Sequence, residues 1–259
     1  MMRHHDGNLT IDAQFAVNTT FTANTPHPAS APPDQLMQSI NDADPTLAFY
    51  VPTIGDRLSE QRISWKWYSG GWSNALAGGP DPLFQFHHQP FAYYANYADG
   101  TPGKAEHLQD EQDFFNDLAG GTLPRVSFVK PIGRDNEHPG YANLVAGQMH
   151  VAELVRAVQR SQFWADCAII VTYDENGGRW DHVSPPLVDA WGPGTRVPAI
   201  IISPFAKRGR VDHTQYETVS ILKFIEKRFG LAPLSPRDAN PAVNDLSNAF
   251  EFGVGFGWH

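Results

Sequence analysis

The sequence predicts an α/β fold, a three-layer α/β/α domain built on a mainly parallel sheet. Three observations predict it. Residues 167–171 and 197–203 are short, nearly unbroken apolar runs rich in β-branched side chains, the pattern of strands buried on both faces. Other segments carry apolar residues every three or four positions, the spacing of helices that cover a sheet. Polarity then appears abruptly after the first run, in Asp174, Glu175, Asn176, Gly177, Gly178, Asp181 and His182. Open α/β sheets bind ligands at the carboxyl ends of their strands, so this position suits chemistry.

The bulk properties agree with a globular chain. A length of 259 residues supports one sizeable core, and 41% hydrophobic against 18% charged residues argues against extended disorder. The formal net charge of -9 disfavours nonspecific binding to nucleic acid or an anionic membrane. It does not exclude a phosphate substrate, because a bound metal inverts the local field. The single cysteine, Cys167, cannot form an internal disulfide and opens a buried strand, so it reads as core. No apolar run reaches the length of a membrane span, and no apolar h-region follows Met1.

Taken in order, residues 1–46 are rich in Thr, Asn, Pro and Ala and read as an extended or irregular segment, with His4 and His5 as part of a polar start. Thr53 can cap a helix with Asp56 three residues on, and Ile54 and Leu58 give that helix an apolar face. Residues 63–68 read as a strand that ends at Ser69, Gly70 and Gly71. Ser69 could be a nucleophile or a pocket wall. The absence of G-x-S-x-G and of an evident following helix favours the wall. The aromatic segment 80–97 reads mainly as core packing. Its adjacent His87 and His88 point different ways on an extended chain, so at most one of them reaches a site. Residues 104–118 read as an acidic helix with Leu108, Phe114, Phe115 and Leu118 inward, stopped by Gly120 and Gly121.

A strand over 125–130 leads into Asn136, Glu137, His138, Pro139 and Gly140, a polar loop at a strand's carboxyl end. A helix over 142–161 has Val145, Met149, Ala152, Val155 and Val158 as its stripe, with His150 beside it as a satisfied structural histidine. Beyond the two strands, Thr214 with Glu217 predicts a capped helix whose stripe is Ile221, Leu222, Ile225 and Phe229, closed by Gly230. That start would put Asp212 and His213 at a helix entrance, where backbone N–H groups favour an anion. Residues 236–259 read as a loose tail.

Asp174 and Glu175 are hard oxygen ligands, suited to a divalent metal ion, and Gly177 and Gly178 let the chain turn back so that Asp181 and His182 can face them. The string from Tyr173 to Pro186 resembles the signature of the bacterial phosphoesterase family of phospholipases C and acid phosphatases, within the alkaline phosphatase superfamily. The resemblance extends through residues 191–198, 202–205 and 211–214, and backward through 136–140 and 86–91. It covers roughly residues 50 to 235 and is closest in wording to the acid phosphatase branch.

The resemblance implies an alkaline phosphatase-like fold, a phosphate ester substrate and a metal bound by Asp174 and Glu175. It implies roles for His88, His138, Asp181, His182 and His213 in orienting phosphate, protonating the leaving oxygen or completing the metal shell. On this reading residues 47–235 are the phosphoesterase domain. Members are commonly periplasmic or secreted, which leaves localisation open here.

One departure stands out. The family carries an early Glu-Asn pair that binds metal, followed by a Ser or Thr nucleophile. No Glu precedes Glu60 in this chain, and Asn8, Asn18 and Asn24 lack an acidic neighbour. The expectation is therefore a C-terminal portion lacking the family's N-terminal part. The first functional reading is an acid phosphatase-like hydrolase of phosphoric esters. The alternatives are a phospholipase C-type phosphodiesterase and a non-catalytic, aromatic-rich binding domain.

Overall fold

The computed structural model describes residues 52–188 and 192–252, together with the backbone of two short strands, Met2–Arg3 and Leu9–Thr10, paired antiparallel. Expectations for His4, His5, Trp191 and the rest of 1–46 and of the tail lie outside the described residues. Two compact units separate, one within Met1–Phe21 and Ile170–Ile200, the other within Thr22–Ile169 and Ile201–His259.

The larger unit holds a three-stranded parallel sheet, as expected of an α/β fold. Strand β1 (Trp65–Ser69) lies between β2 (Leu108–Asp110) and β3 (Val126–Lys130), so the order is β2-β1-β3. Trp67 stands opposite Leu108 on one side and Phe128 on the other. Helix α1 (Ile54–Glu60) begins where the sequence places it: Thr53 and Asp56 cap each other reciprocally, and Ile54 and Leu58 are buried. The principal core gathers around Trp65, which stacks on His107 at 4.1 Å between centroids and meets Phe91 and Tyr97 edgewise or tilted. Gly55 lets α1 approach that ring, since a Cβ there would lie 2.3 Å from it. Phe84, Phe91, Tyr93 and Tyr97 are buried, so most of the aromatic segment is core.

Several elements differ from the sequence expectation. After Ser69 a short helix does follow, α2 (Trp72–Leu76), entered through Gly71 in the left-handed region at φ 82°. Ser69 itself is 1% exposed, inside the core rather than on a pocket wall. The helix expected over 104–118 is divided into α3 (Pro102–His107), strand β2 and α4 (Glu111–Gly120). Thr101 caps α3, Asp110 caps α4 in a reciprocal pair with Asp113, and Leu108 between them is drawn into pairing with β1. Gly121 at φ 72° then closes α4, as the sequence implies.

Helix α5 (Leu144–Arg160) is present, with its expected stripe covered only toward its C-terminal half, at Val158 and in part at Ala152 and Val155. Val145 and Met149 are 64% and 68% exposed, while Gly147 and Val158 are buried and Leu154 packs on the second cluster with Tyr68, Phe114 and Leu118. His150 is the structural histidine expected, its Nε2–H donating to Glu111 Oε1 at 2.8 Å. Strands β4 (Ile169–Thr172) and β5 (Ala199–Ile202) form a two-stranded sheet of their own. They are not buried on both faces: β4 is half-buried, and Ile200 of β5 is 57% exposed.

Helix α6 spans Val219–Phe229, five residues later than the expected start at Thr214, and Thr218 supplies no side-chain cap. Its apolar side is as expected, with Ile225 buried and Ile221, Leu222 and Phe229 packed on the core, and Gly230 closes it in the left-handed region. The segment read as a loose tail contains helix α7 (Pro236–Ala239) and the buried residues Val243, Leu246 and Phe250. No helix among the described residues is long and apolar enough to cross a membrane.

Candidate active site

The smaller unit contains the turn that follows β4. Thr172 ends the strand with its Oγ1 donating to Pro198 O at 3.1 Å. The chain then reverses through Gly177 and Gly178, both left-handed at φ 59° and 75°, where a side chain would be strained. Side chains close the turn on its own backbone. Glu175 Oε2 accepts from Gly177 N–H, and Asn176 Oδ1 accepts from Gly178 N–H at 2.6 Å. Asn176 Nδ2 donates to Thr195 Oγ1 at 2.7 Å, tying the turn to the stretch before β5.

Asp174 is exposed and Glu175 half-buried at this turn. Asp181 Oδ1 accepts from Val183 N–H at 2.9 Å, and Oδ2 is ion-paired with Arg196 Nε. The Val183 N–H first, and then Arg196, hold the Asp181 carboxyl below the usual carboxylate range. His182 beside it is exposed. The result is a solvent-facing run of carboxylates with Arg179 within it and Arg196 paired to Asp181.

The larger unit contains the three other candidate histidines. His138 lies beyond the carboxyl end of β3, in a loop braced by Asn136, whose Oδ1 accepts the His138 N–H at 2.9 Å. Its Nδ1 is 2.7 Å from Pro139 O, and a carbonyl can only accept, so Nδ1 carries the proton in that contact and Nε2 is the other ring nitrogen. The ring stacks flat on Tyr141 at 4.6 Å between centroids. His88 is buried in the 3-10 turn Phe86–His88, perpendicular to His87, with its backbone carbonyl accepting from Trp67 Nε1 at 2.8 Å.

His213 is exposed, in a turn organised by Asp212. Because α6 starts only at Val219, this is not the helix entrance expected, and the argument from helix N–H groups does not apply. Asp212 instead accepts from Thr214 N–H at 2.9 Å, Tyr216 Oη–H at 2.7 Å and Asn248 Nδ2–H at 3.0 Å. Burial alone would raise the Asp212 pKa, but the hydrogen bonds from Tyr216, Thr214 and Asn248 outweigh it and bring it to about 2. Burial and the hydrogen bond to Asp212 push Tyr216 up to about 12.

The sequence reading gave no site role to Thr195, Arg196, Tyr216 or Asn248, and named Asn176 only as part of the polar turn. Thr195 and Arg196 fall inside a motif string already noticed. Nothing local pointed to Asn248. Among the described residues, no group of three or more His, Cys, Asp or Glu side chains comes together to hold a metal ion. Glu175 is turned onto the backbone, and a hard cation takes about six oxygens or more. The donors described here therefore do not fit a complete metal shell.

A family model described as the Phosphoesterase family matches residues 13–232. A protein named Non-hemolytic phospholipase C from Burkholderia pseudomallei is 28% identical over 256 residues, covering 77% of this chain and 36% of that protein. Phospholipase C A of Mycobacterium tuberculosis is 29% identical over 243 residues, covering 81% of this chain and 45% of its own length. Non-specific phospholipase C6 of Arabidopsis thaliana is 30% identical over 164 residues, covering 51% of this chain and 31% of that protein. The chain thus spans less than half the length of these curated relatives.

Proposed function

The chain belongs to the phosphoesterase family, and from that premise we propose that it hydrolyses phosphoric esters, with the turn after β4 in the smaller unit and the histidines of the larger unit each proposed by themselves as contributing groups. The family match over residues 13–232, which takes in that turn, is the observation that carries the reading.

Displacement at phosphorus needs groups that orient the phosphoryl oxygens, a nucleophile, and an acid that protonates the leaving oxygen. His138 is the proposed acid, because its Nδ1–H is committed to Pro139 O and its Nε2 is the atom left to hold and release a proton. Arg196, already fixed against Asp181, would present its remaining N–H groups to a phosphoryl oxygen. His182, His213 and His88 are proposed as further groups that position phosphate. Asp174 and Glu175 are the proposed ligands for a divalent cation, a role two adjacent carboxylates fill only together with further donors.

Two finer readings divide the substrate. The wording of the motifs resembles acid phosphatases, which act on monoesters. The relatives are named phospholipases C, which favours a phosphodiester such as a phospholipid, cut on the phosphoryl side of its glycerol oxygen. The second reading rests on more of the chain and is preferred. Incubating the protein with phosphatidylcholine and, separately, with p-nitrophenyl phosphate separates them. Release of phosphorylcholine supports the diesterase, and release of p-nitrophenol with no phosphorylcholine supports the monoesterase. Turnover of neither ester contradicts the proposed function.

A further inference from the structure

The loop that follows β5 forms a cleft of about 440 Å³ within the larger unit, lined by Pro204, Phe205, Ala206, Lys207, Arg208, Arg210 and Glu251. Three cations line it within four residues of sequence, in a chain whose formal net charge is -9. Neither Arg208 nor Arg210 forms an ion pair or hydrogen bond among the described residues, and both are exposed. Lys207 is partly engaged, its Nζ donating to Asn248 O.

The loop's backbone is held in place. Lys207 N–H donates to Ala249 O at 3.0 Å and Glu251 N–H to Phe205 O at 2.8 Å, around a bridge between Ala206 and Phe250. Phe250 is 5% exposed and stacks on Phe224 at 5.2 Å, anchoring that bridge to α6. Gly209, left-handed at φ 60°, turns the chain between the two arginines. Two guanidiniums that have no ion pair among the described residues, on a held backbone, suit a tetrahedral oxyanion, which accepts paired N–H donation. Lys207 balances the one opposing carboxylate, Glu251, and Pro204, Phe205 and Ala206 add an apolar edge.

We infer that this cleft is a binding site for a phosphate group, through Arg208 and Arg210. The group is shared chemistry: free phosphate and the head group of an anionic lipid both present it. The site goes beyond the hydrolytic reading and does not depend on it.

Titration calorimetry with inorganic phosphate and co-sedimentation with phosphatidylglycerol vesicles, against phosphatidylcholine vesicles, give the two arms. The parent chain is expected to bind in one arm or both, more weakly as salt rises. Phosphate binding identifies the free anion as ligand, and binding to phosphatidylglycerol vesicles alone identifies the head group. Arg208→Ala with Arg210→Ala should weaken binding by roughly tenfold or more, since each change removes charge-assisted hydrogen bonds. Glu251→Gln, which removes the opposing charge, should tighten it. Repeating both in an Arg196→Gln background separates this cleft from phosphate held at the β4 turn, where Arg196 is the proposed phosphoryl contact. Binding in neither arm, or equal binding by the parent, the double variant and Glu251→Gln, would overturn the inference.

Discussion

Asp181 and Arg196, fifteen residues apart, are joined side chain to side chain, so the carboxylate that follows the Gly177–Gly178 reversal is oriented by a cation from the strand-leading segment before β5. Arg196→Gln should let the Asp181 pKa rise toward its ordinary value of 3.8, leaving the Val183 N–H as the main group that holds it down. Both side chains are solvent-exposed, so the melting temperature should stay within about 2 °C of the parent. Carboxyl-carbon NMR titration of Asp181 checks the first outcome. An unchanged titration midpoint would mean that Arg196 does not act on Asp181 in solution.

His150 and Glu111 make the corresponding pair in the core-facing side of α5. The hydrogen bond to Glu111 comes first among the causes that raise the His150 pKa above 6.5, ahead of the burial that opposes it. A raised histidine stabilises the fold fully below its unfolded value and loses that contribution as pH climbs through its folded value. Stability should therefore decline as pH rises above about 6.5. His150→Leu should abolish that slope and lower stability by roughly 1–3 kcal/mol, because Glu111, 7% exposed, is left buried without its partner. Urea unfolding of parent and variant across pH 5–9 measures both, and parallel pH profiles would refute the assignment.

Glu226 of α6 and Asp238 of α7 place two carboxyl groups together in the interior, at 4% and 1% exposure. Asp238 accepts from Leu234 N–H and Ser235 N–H at 2.6 and 2.7 Å, which favours its ionised form. Burial first, and then the hydrogen bond and charge of Asp238, raise Glu226 from 4.5 to about 7. The other charged groups nearby are engaged elsewhere: Lys223 with Asn240 O, Lys227 with Asp245 and Arg237 with Glu217. The native state thus keeps a proton that the unfolded chain releases, so stability falls as pH rises from 4.5 through about 7. Glu226→Gln keeps a donor for Asp238 without the charge. It should melt a few degrees higher than the parent above pH 7 and lose the descending slope. A variant whose melting profile tracks the parent at every pH would count against the shared proton.

Gly70 marks a close approach of a different sort. A Cβ there would lie 2.6 Å from the backbone nitrogen of Ile132, which cannot rotate away. Gly70→Ala should force β1 and the segment after β3 apart and destabilise the fold by roughly 1–3 kcal/mol. Thermal unfolding of the variant tests this, and a melting temperature equal to the parent's would show that the two backbones can separate freely.

How legible these features were depended on how local their causes are. Thr53 with Asp56, and Gly121 and Gly230 after their helices, follow from chemistry within one helical turn, and the sequence places them well. The division of residues 104–118 did not follow, because Leu108 pairs with Trp67 far along the chain and that pairing overrides a helical pattern. Thr214 looked like a cap, but Asp212 captures its N–H in a turn, a local competition the capping pattern cannot reveal. At the candidate site, the strand-end placement of Asp174 and Glu175 was readable. Which distant side chains meet Asp181 or Asp212 was not, because Arg196 and Asn248 carry no local pattern that marks them as partners.

The most direct test of the proposed chemistry is the rate at which the parent chain and Asp174→Asn hydrolyse p-nitrophenyl phosphate and p-nitrophenylphosphorylcholine. Asp174 is exposed, so the exchange should leave folding intact while removing a charge from the turn after β4. The account predicts turnover of at least one ester by the parent and a fall of roughly a hundredfold or more in the variant. A variant that matches the parent's rate, or a parent that cleaves neither ester, would contradict it.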